Sequence, residues 1–214
     1  MAPVPRASGS AAEARGQDKR ARIMACALEL FSRQGYLQTP VRDIIDCSGF
    51  GTSTFYRFFA NKEAVLAALL QDFLDSIMEA VRRYYTVEPR LDVRFIETKR
   101  VVMERFAANP ELSALYARSH GLSPGIDRCL KEFDDAFLEF SYRNLRHGVL
   151  QGEFRDLPLL PIAHGILGSI KLAVSRWIIH GEFTAEEMVE TVVSFHRSLA
   201  VGLLAERGAP AIET

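Results

Sequence analysis

The chain has 214 residues, 48% hydrophobic and 25% charged, a composition typical of a globular protein with one or two domains. No apolar run reaches the length of a membrane span, so we expect a cytoplasmic protein without a signal peptide or membrane contact. The net charge is −1, but the first 62 residues carry nine Lys or Arg against five Asp or Glu, and the remainder carries 17 against 22. A basic segment on an acidic body is typical of a DNA-binding module joined to a second domain.

Helical periodicity extends along the chain, and strand signals are nearly absent, so the predicted fold class is all-α. Residues 1–16, rich in Ala, Pro, Ser and Gly, are predicted to be a disordered arm. Nine helices are predicted in chain order, at about 18–34, 40–48, 52–59, 62–85, 91–108, 110–120, 126–152, 160–180 and 185–207. Residues 208–214 are predicted to be a flexible tail.

Capping signals support several of these boundaries. Thr39 is expected to cap the second helix, with Pro40 at its first position. Asn61 is expected to cap the fourth helix, and Thr184 to Glu187 form a capping-box pattern at the start of the ninth.

Three cysteines, Cys26, Cys47 and Cys129, are odd in number and widely spaced. This pattern argues against a disulfide framework and against a structural zinc site. We therefore expect three free thiols in a reducing compartment.

The second and third helices have the dimensions of a helix-turn-helix, with the connector Ser48-Gly49-Phe50-Gly51 between them. At about 100° per residue, the third helix divides into two arcs. The inner arc is apolar and can pack on the preceding helices, and it comprises Phe55, Phe58 and Phe59. The outer arc offers groups that hydrogen-bond phosphates and base edges, namely Thr52, Ser53, Tyr56 and Arg57. A short amphipathic helix after two glycines also occurs in many all-α proteins, so spacing alone leaves both readings open.

Residues 23–70 resemble the amino-terminal domain of the tetracycline-repressor (TetR) family. They contain Ala-Leu-x-Leu-Phe and Gly-Tyr in the first helix, Val-Arg-x-Ile in the second, Phe-Tyr-x-x-Phe in the third and Asn-Lys-Glu at the start of the fourth. The resemblance implies a nine-helix fold with a DNA-binding domain at 17–62 and a ligand-binding and dimerisation domain at 63–207. It also implies a homodimer on double-stranded operator DNA, acting as a repressor that a small-molecule effector releases.

The same resemblance implies DNA contacts for eight residues, namely Thr39, Arg42, Thr52, Ser53, Thr54, Tyr56, Arg57 and Lys62. Tyr56 and Lys62 match phosphate-contacting positions of the family. Gly51 stands where the family usually has a capping Ser, so Thr52 is expected to cap the third helix instead. Phe58 stands where His or Tyr is frequent, which removes a polar group.

Lys19, Arg20 and Arg22 lie in the first helix or just before it. Two readings remain open for them. They contact phosphates or a minor groove, or they form a solvated basic face.

The resemblance further implies a ligand pocket in the second domain. Its candidate lining residues are Phe106, Tyr116, His120, Phe133, Phe137, Lys171 and Trp177. Aromatic residues at helical spacing are more often simply part of the core, and that alternative stays open for each. The segments GVLQGEFRDLP and SRWIIHGEF resemble family members that sense long-chain acyl-CoA. We therefore expect an apolar ligand, with acyl-CoA as one possibility.

The last two helices carry apolar stripes that are expected to form the dimer seam. The residues assigned to it are Ile166, Ile170, Val192, His196, Leu199 and Leu203. Gly165 and Gly168 would allow close approach of helices. The alternative is that these stripes face only the core of their own subunit.

Two other classes of protein are alternatives to a DNA-binding regulator. An enzyme is disfavoured because the chain lacks Gly-x-Ser-x-Gly, His-Glu-x-x-His and a complete phosphate loop, and its five histidines show no ligand-like pairing. No catalytic residue, metal site or cofactor is therefore expected. A helical interaction protein without DNA binding is the remaining alternative.

Overall fold

A computed structural model describes residues 8–87 and 90–204, with side chains described for residues 13–86, 90 and 92–204. The described residues form nine α-helices, which confirms the predicted fold class. In chain order they are α1 (Ser8–Gln34), α2 (Val41–Ser48), α3 (Thr52–Phe58), α4 (Lys62–Val87), α5 (Leu91–Ala107), α6 (Pro110–Arg118), α7 (Pro124–Leu150), α8 (Leu159–Ile178) and α9 (Ala185–Leu203). Over the described ranges, β-pairing is limited to one isolated bridge between Phe154 and Leu204.

The largest difference from the prediction concerns the amino-terminal arm. Helix α1 begins at Ser8, so residues 8–16 are helical and the predicted disorder is wrong for them. Their alanines, Glu13 and Arg15 are good helix formers, and extending an existing helix needs no new nucleation. Residues 1–7 and the predicted tail at 208–214 lie outside the described residues.

The capping signals have mixed outcomes. The Asn61 side chain accepts a hydrogen bond from the amide of Ala64 at 2.8 Å, and Thr184 forms the complete capping box with Glu187. The prediction for Thr39 is wrong, because Pro40 occupies the N-cap of α2. The Thr39 hydroxyl instead donates to the carbonyl of Gly35 at 2.7 Å.

The chain divides into two compact units, and the division falls between Gln71 and Asp72 rather than at residue 62. In the first unit, α1 packs on α2. Large apolar side chains from all of its helices are almost fully buried, namely Ile23, Phe31, Ile44, Phe55, Phe59, Val65 and Leu66.

In the second unit, α5 packs mainly on α9, and α7 packs on α8. Helix α8 also contacts α9 and α6, so the helices form layers around a shared core. The amide of Arg155 donates to the carbonyl of Leu203 at 2.8 Å, which ties the segment after α7 to the end of α9. No helix within residues 8–87 and 90–204 is long and apolar enough to cross a bilayer.

Cys26 and Cys47 form a disulfide between α1 and α2, with their Cα atoms 5.8 Å apart. The expectation of free thiols is therefore wrong for this pair, whereas Cys129 is buried and lies outside the disulfide. Packing of α1 on α2 brings together two residues that are 21 positions apart, which their sequence spacing does not show.

Reduction of this disulfide is expected to lower the free energy of unfolding of the first unit by about 3 kcal/mol, because the bond restricts a loop in the unfolded chain. Urea unfolding with and without dithiothreitol measures the change. Cys47→Ser should be insensitive to reductant, and Cys129→Ser should behave like the wild type. A wild-type midpoint that ignores reductant would contradict the prediction.

Candidate DNA-binding surface and interior pocket

The turn between α2 and α3 depends on Gly49. This residue has φ 72°, in the left-handed region that favours glycine, and its amide donates to the carbonyls of Ile45 and Asp46. The buried Ser48 hydroxyl donates to the Ile45 carbonyl at 2.9 Å. These bonds end α2 and allow the chain to turn into α3.

The two predicted arcs of α3 have different environments in the structure. On the inner arc, Phe55 is fully buried and Phe59 is nearly so. The outer arc is exposed, and it comprises Thr52, Ser53, Tyr56 and Arg57. Thr54, also predicted to contact DNA, is half-buried beside this arc. The seven-residue helix therefore presents two hydroxyls, a phenol and a guanidinium on one surface.

Two residues of the helix-turn-helix, Gly51 and Phe58, depart from the family pattern. Gly51 is the N-cap of α3 and Thr52 is the first helical residue, so the expectation that Thr52 takes over capping is wrong. Phe58 is half-buried rather than fully inside, and the Arg57 guanidinium lies 4.8 Å from its ring centroid. Phe58 thus supports the side chain that projects from the outer arc.

Thr39 is a predicted DNA contact that the structure contradicts. Its side chain is fully buried, and its hydroxyl accepts from Gln34 at 3.3 Å in addition to donating to Gly35. A buried and doubly bonded hydroxyl is not available to a phosphate. Arg42, in contrast, is exposed and pairs only loosely with Asp46 at 3.6 Å.

Lys62 has a different role from the one predicted. Its ammonium donates to the carbonyls of Tyr36, Leu37 and Thr39 at 2.9, 3.1 and 3.0 Å. It also lies 4.6 Å from the centroid of the Tyr36 ring. All three N–H groups are therefore used within the chain, so Lys62 is a positioning residue for the segment between α1 and α2.

The basic residues of α1 lie over aromatic rings of the helix-turn-helix. Lys19 and Arg22 lie 5.8 and 6.0 Å from the centroid of the Phe50 ring, which belongs to the turn between α2 and α3. Arg20 lies 5.6 Å from the Phe59 ring. These contacts place positive charge beside the helix-turn-helix, where sequence reading left the role of the three residues open.

The second unit contains a small interior cavity of about 20 Å³. Its walls are mainly apolar, formed by Val81, Tyr85, Phe95, Val102, Phe137, Phe140, Leu145, Phe154 and Ile166. Four polar side chains also line it, namely Thr98, Lys99, Ser141 and Asn144. An apolar enclosure with a few polar groups is the usual form of a small-molecule site.

Lys99 is the most unusual of these residues. It is 8% exposed, and its ammonium lies 3.9 Å from the centroid of the Phe95 ring. Burial lowers its pKa to about 7. Lys99 was not identified from the sequence. The residue lies between Phe95 and Val102 on the apolar face of α5, and the three share one side of the helix by their spacing.

Most of the predicted ligand residues lie elsewhere. Phe137 lines the cavity, and the remaining six do not. Aromatic contacts join Phe106, Tyr116, His120, Phe133 and Phe137 into a packed cluster. Burial and the neighbouring Lys171 lower the pKa of His120. Lys171 pairs with Asp134 at 2.6 Å, and Trp177 is half-buried on α8.

Five of the six residues assigned to the dimer seam face inward, which corrects the prediction for those five. These five are nearly or fully buried within the protomer, namely Ile166, Ile170, Val192, His196 and Leu203, and Leu199 is half-buried. Burial in the core leaves the five buried side chains almost no surface for a second copy, whereas Leu199 retains part of its surface. The Nδ1–H of His196 donates to the carbonyl of Val192 at 2.8 Å, and burial lowers its pKa to about 4.

The described helices and the exposed arc of α3 define a helix-turn-helix DNA-binding transcriptional regulator with a second helical unit. A family profile described as "Bacterial regulatory proteins, tetR family" matches residues 23–69. The crystal structure of a TetR-family regulator from Syntrophomonas wolfei is 47% identical, covers 89% of this chain and 99% of its own, and has a TM-score of 0.81. The chain belongs to the TetR family.

Two further relatives extend the comparison. The HTH-type transcriptional repressor KstR2 of Rhodococcus jostii (strain RHA1) is 27% identical over 191 residues, which are 87% of this chain and 91% of the relative. The regulator FadR from Bacillus subtilis, solved in complex with stearoyl-CoA, shares the fold at 19% identity and a TM-score of 0.74, over 83% of this chain and 97% of its own. These relatives are transcriptional regulators and not enzymes.

Lys62→Met is expected to lower the free energy of unfolding of the first unit by about 2 kcal/mol, the order of magnitude for hydrogen bonds from a charged donor. Urea unfolding without DNA measures the change. Arg42→Ala is the control, because an exposed ion pair contributes little to stability. Equal stability of Lys62→Met and the wild type would show that the three carbonyl bonds are unimportant.

Proposed function

We propose that the protein is a repressor that binds operator DNA through the outer arc of α3 and is released by a small apolar effector. The observation that carries the proposal is the outward display of Thr52, Ser53, Tyr56 and Arg57 on a helix whose opposite side is buried. Hydroxyl, phenol and guanidinium groups are those that contact phosphates and base edges in a major groove. Arg42 is a further exposed guanidinium of the first unit, on α2.

The surrounding charge favours a polyanion. Lys19, Arg20 and Arg22 lie against the rings of Phe50 and Phe59, next to α3. Such positive charge contributes affinity that does not depend on sequence and that falls with added salt. The polar side chains of the outer arc then determine which DNA base sequence is bound.

We propose that the second unit forms a homodimer through the exposed faces of α8 and α9. Leu172, Phe195 and Val201 are 59%, 49% and 72% exposed. Gly165 and Gly168 are exposed on the same helix as Leu172 and leave open space for large side chains. A surface with large and small apolar groups side by side is suited to a twofold contact with a second copy.

The interior cavity supports an effector site in the second unit. Its apolar walls include Val81 and Tyr85 of α4, the helix whose first residue is Lys62. A ligand that opens the cavity would shift α4 and favour a dimer whose recognition helices no longer match successive major grooves, which lie about 34–36 Å apart. The stearoyl-CoA of the Bacillus subtilis FadR structure and the repressor function of KstR2 are consistent with an apolar effector and with repression.

Arg57→Ala is expected to weaken binding to an operator fragment from its own upstream region by about tenfold or more, since one good base or phosphate contact contributes about 1–3 kcal/mol. Gel-shift titration at several salt concentrations measures the loss. Tyr56→Phe should give a smaller loss, because it removes only the phenol hydroxyl.

Arg143→Ala is the matched control for that experiment, because Arg143 is an exposed arginine of the second unit. It should leave operator affinity unchanged. Full operator binding by a doubly substituted Tyr56→Ala and Arg57→Ala variant that remains folded would refute the assignment of α3 as the recognition helix.

Leu172→Glu is expected to convert the dimer to a monomer of 24.0 kDa, because a carboxylate buried without a partner costs several kcal/mol. Sedimentation equilibrium measures the mass. Leu37→Glu changes an even more exposed leucine of the first unit and should remain dimeric. A wild type that sediments as a monomer would rule out the dimer.

A further inference from the structure

We propose that Lys99 binds the carboxylate of an apolar acid, so that the effector is a hydrocarbon acid and not a neutral molecule. The proposal rests on the proposed function, because it assigns ligand chemistry to the same cavity. Its basis is a buried cation that lines an apolar enclosure.

Among the described side chains, the ammonium of Lys99 has no ion-pair partner, and burial is the cause of its lowered pKa. Within residues 8–87 and 90–204, no carboxylate lies within ion-pairing distance of its ammonium. The contacts it makes are a hydrogen bond of 3.4 Å to the hydroxyl of Thr98 and the approach to the ring of Phe95. Burying a charge without a partner costs free energy, so the folded protein is set up to gain from binding an anion there.

Additional polar groups line the same cavity. The amide nitrogen Nδ2 of Asn144 is buried and lacks a hydrogen-bond partner among the described residues. The buried hydroxyl of Ser141 lies one turn earlier on α7. An ammonium, an amide N–H₂ and hydroxyl groups bring several donors together at this wall, and a carboxylate has about four acceptor sites.

The cavity in its present form has room for about one water molecule. A water could accept from Lys99 and Asn144, but it would bring no negative charge to offset the desolvation of the ammonium. An acid must therefore open the enclosure. Tyr85 and Phe140, whose rings are 5.2 Å apart, are half-buried, so they form the part of the wall nearest to solvent.

Protonation of Lys99 is the titration that matters near neutral pH. Two other titratable groups lie near it, Tyr85, which lines the same cavity, and His196 on α9, whose pKa the charge of Lys99 helps to lower. Arg94 and Glu153 act on Tyr85 and not on Lys99. Burial raises the pKa of Tyr85, and the pKa of His196 is lowered to about 4, so neither changes charge near pH 7. Because the pKa of Lys99 is lowered to about 7, its charge is lost as the pH rises above that value.

The test titrates octanoate, octanol and octanoyl-CoA calorimetrically into the full chain without DNA. We expect octanoate to bind the wild type at least about tenfold more tightly than octanol, where tenfold corresponds to 1.4 kcal/mol. Lys99→Met should abolish this preference and leave octanol binding unchanged. In the wild type, octanoate affinity should fall between about pH 7 and pH 9, while octanol affinity stays level.

The control is Lys131→Met, which removes an exposed lysine of α7 and should keep octanoate affinity. Lys99→Met removes a buried charge, so its thermal unfolding midpoint should not fall. If that variant nevertheless does not fold, the pH dependence of octanoate affinity in the wild type still tests the proposal.

The proposal is overturned if octanoate does not bind, binds no better than octanol, or binds Lys99→Met as tightly as the wild type. Octanoyl-CoA that binds both proteins equally and releases operator DNA would also overturn it, while the ligand-controlled repressor would stand. Failure of the proposed function would show separately, as absence of operator binding by the wild type in a gel shift.

Discussion

Burial of Phe55 is the constraint on which the DNA-binding surface depends. A helix of seven residues is far too short to be stable in water by itself. Helix α3 exists because Phe55 and Phe59 are enclosed by the core of the first unit. The direction in which those two rings point fixes the direction of Tyr56 and Arg57. The polar arc is thus a consequence of apolar packing on the opposite side of the same helix.

The interior of the second unit follows a different principle. Its core is largely aromatic and aliphatic, yet it retains Lys99, Asn144 and His196 with incomplete hydrogen bonding among the described residues. Polar groups of this kind reduce stability and are difficult to explain as packing. Lys99 and Asn144 line the cavity, which associates their cost with the proposed effector site. The first unit, in contrast, satisfies its buried hydroxyls Thr39 and Ser48 within the backbone.

Sequence reasoning succeeded where the helical period alone decides the outcome. The nine helices and the two arcs of α3 follow from the spacing of apolar residues, because a short helix at the surface has one buried side. It failed for Ile166, Ile170 and His196, because α8 and α9 are apolar on more than one face and the period does not show which face is inward. It also failed for Thr39 and Lys62, whose bonds depend on how the backbone turns between α1 and α2. Lys99 was missed because a lysine is normally assigned to solvent.

The three carbonyl bonds of Lys62 restrict which residue can stand at that position. An ammonium directs its three N–H groups as a tripod, which matches three backbone oxygens converging from different residues. A guanidinium has the same charge but a flat, forked set of donors, suited to a carboxylate or phosphate and not to three converging carbonyls. Arginine is therefore not equivalent to lysine there. Position 62, the first residue of α4, therefore requires the tetrahedral geometry of an ammonium as well as a positive charge.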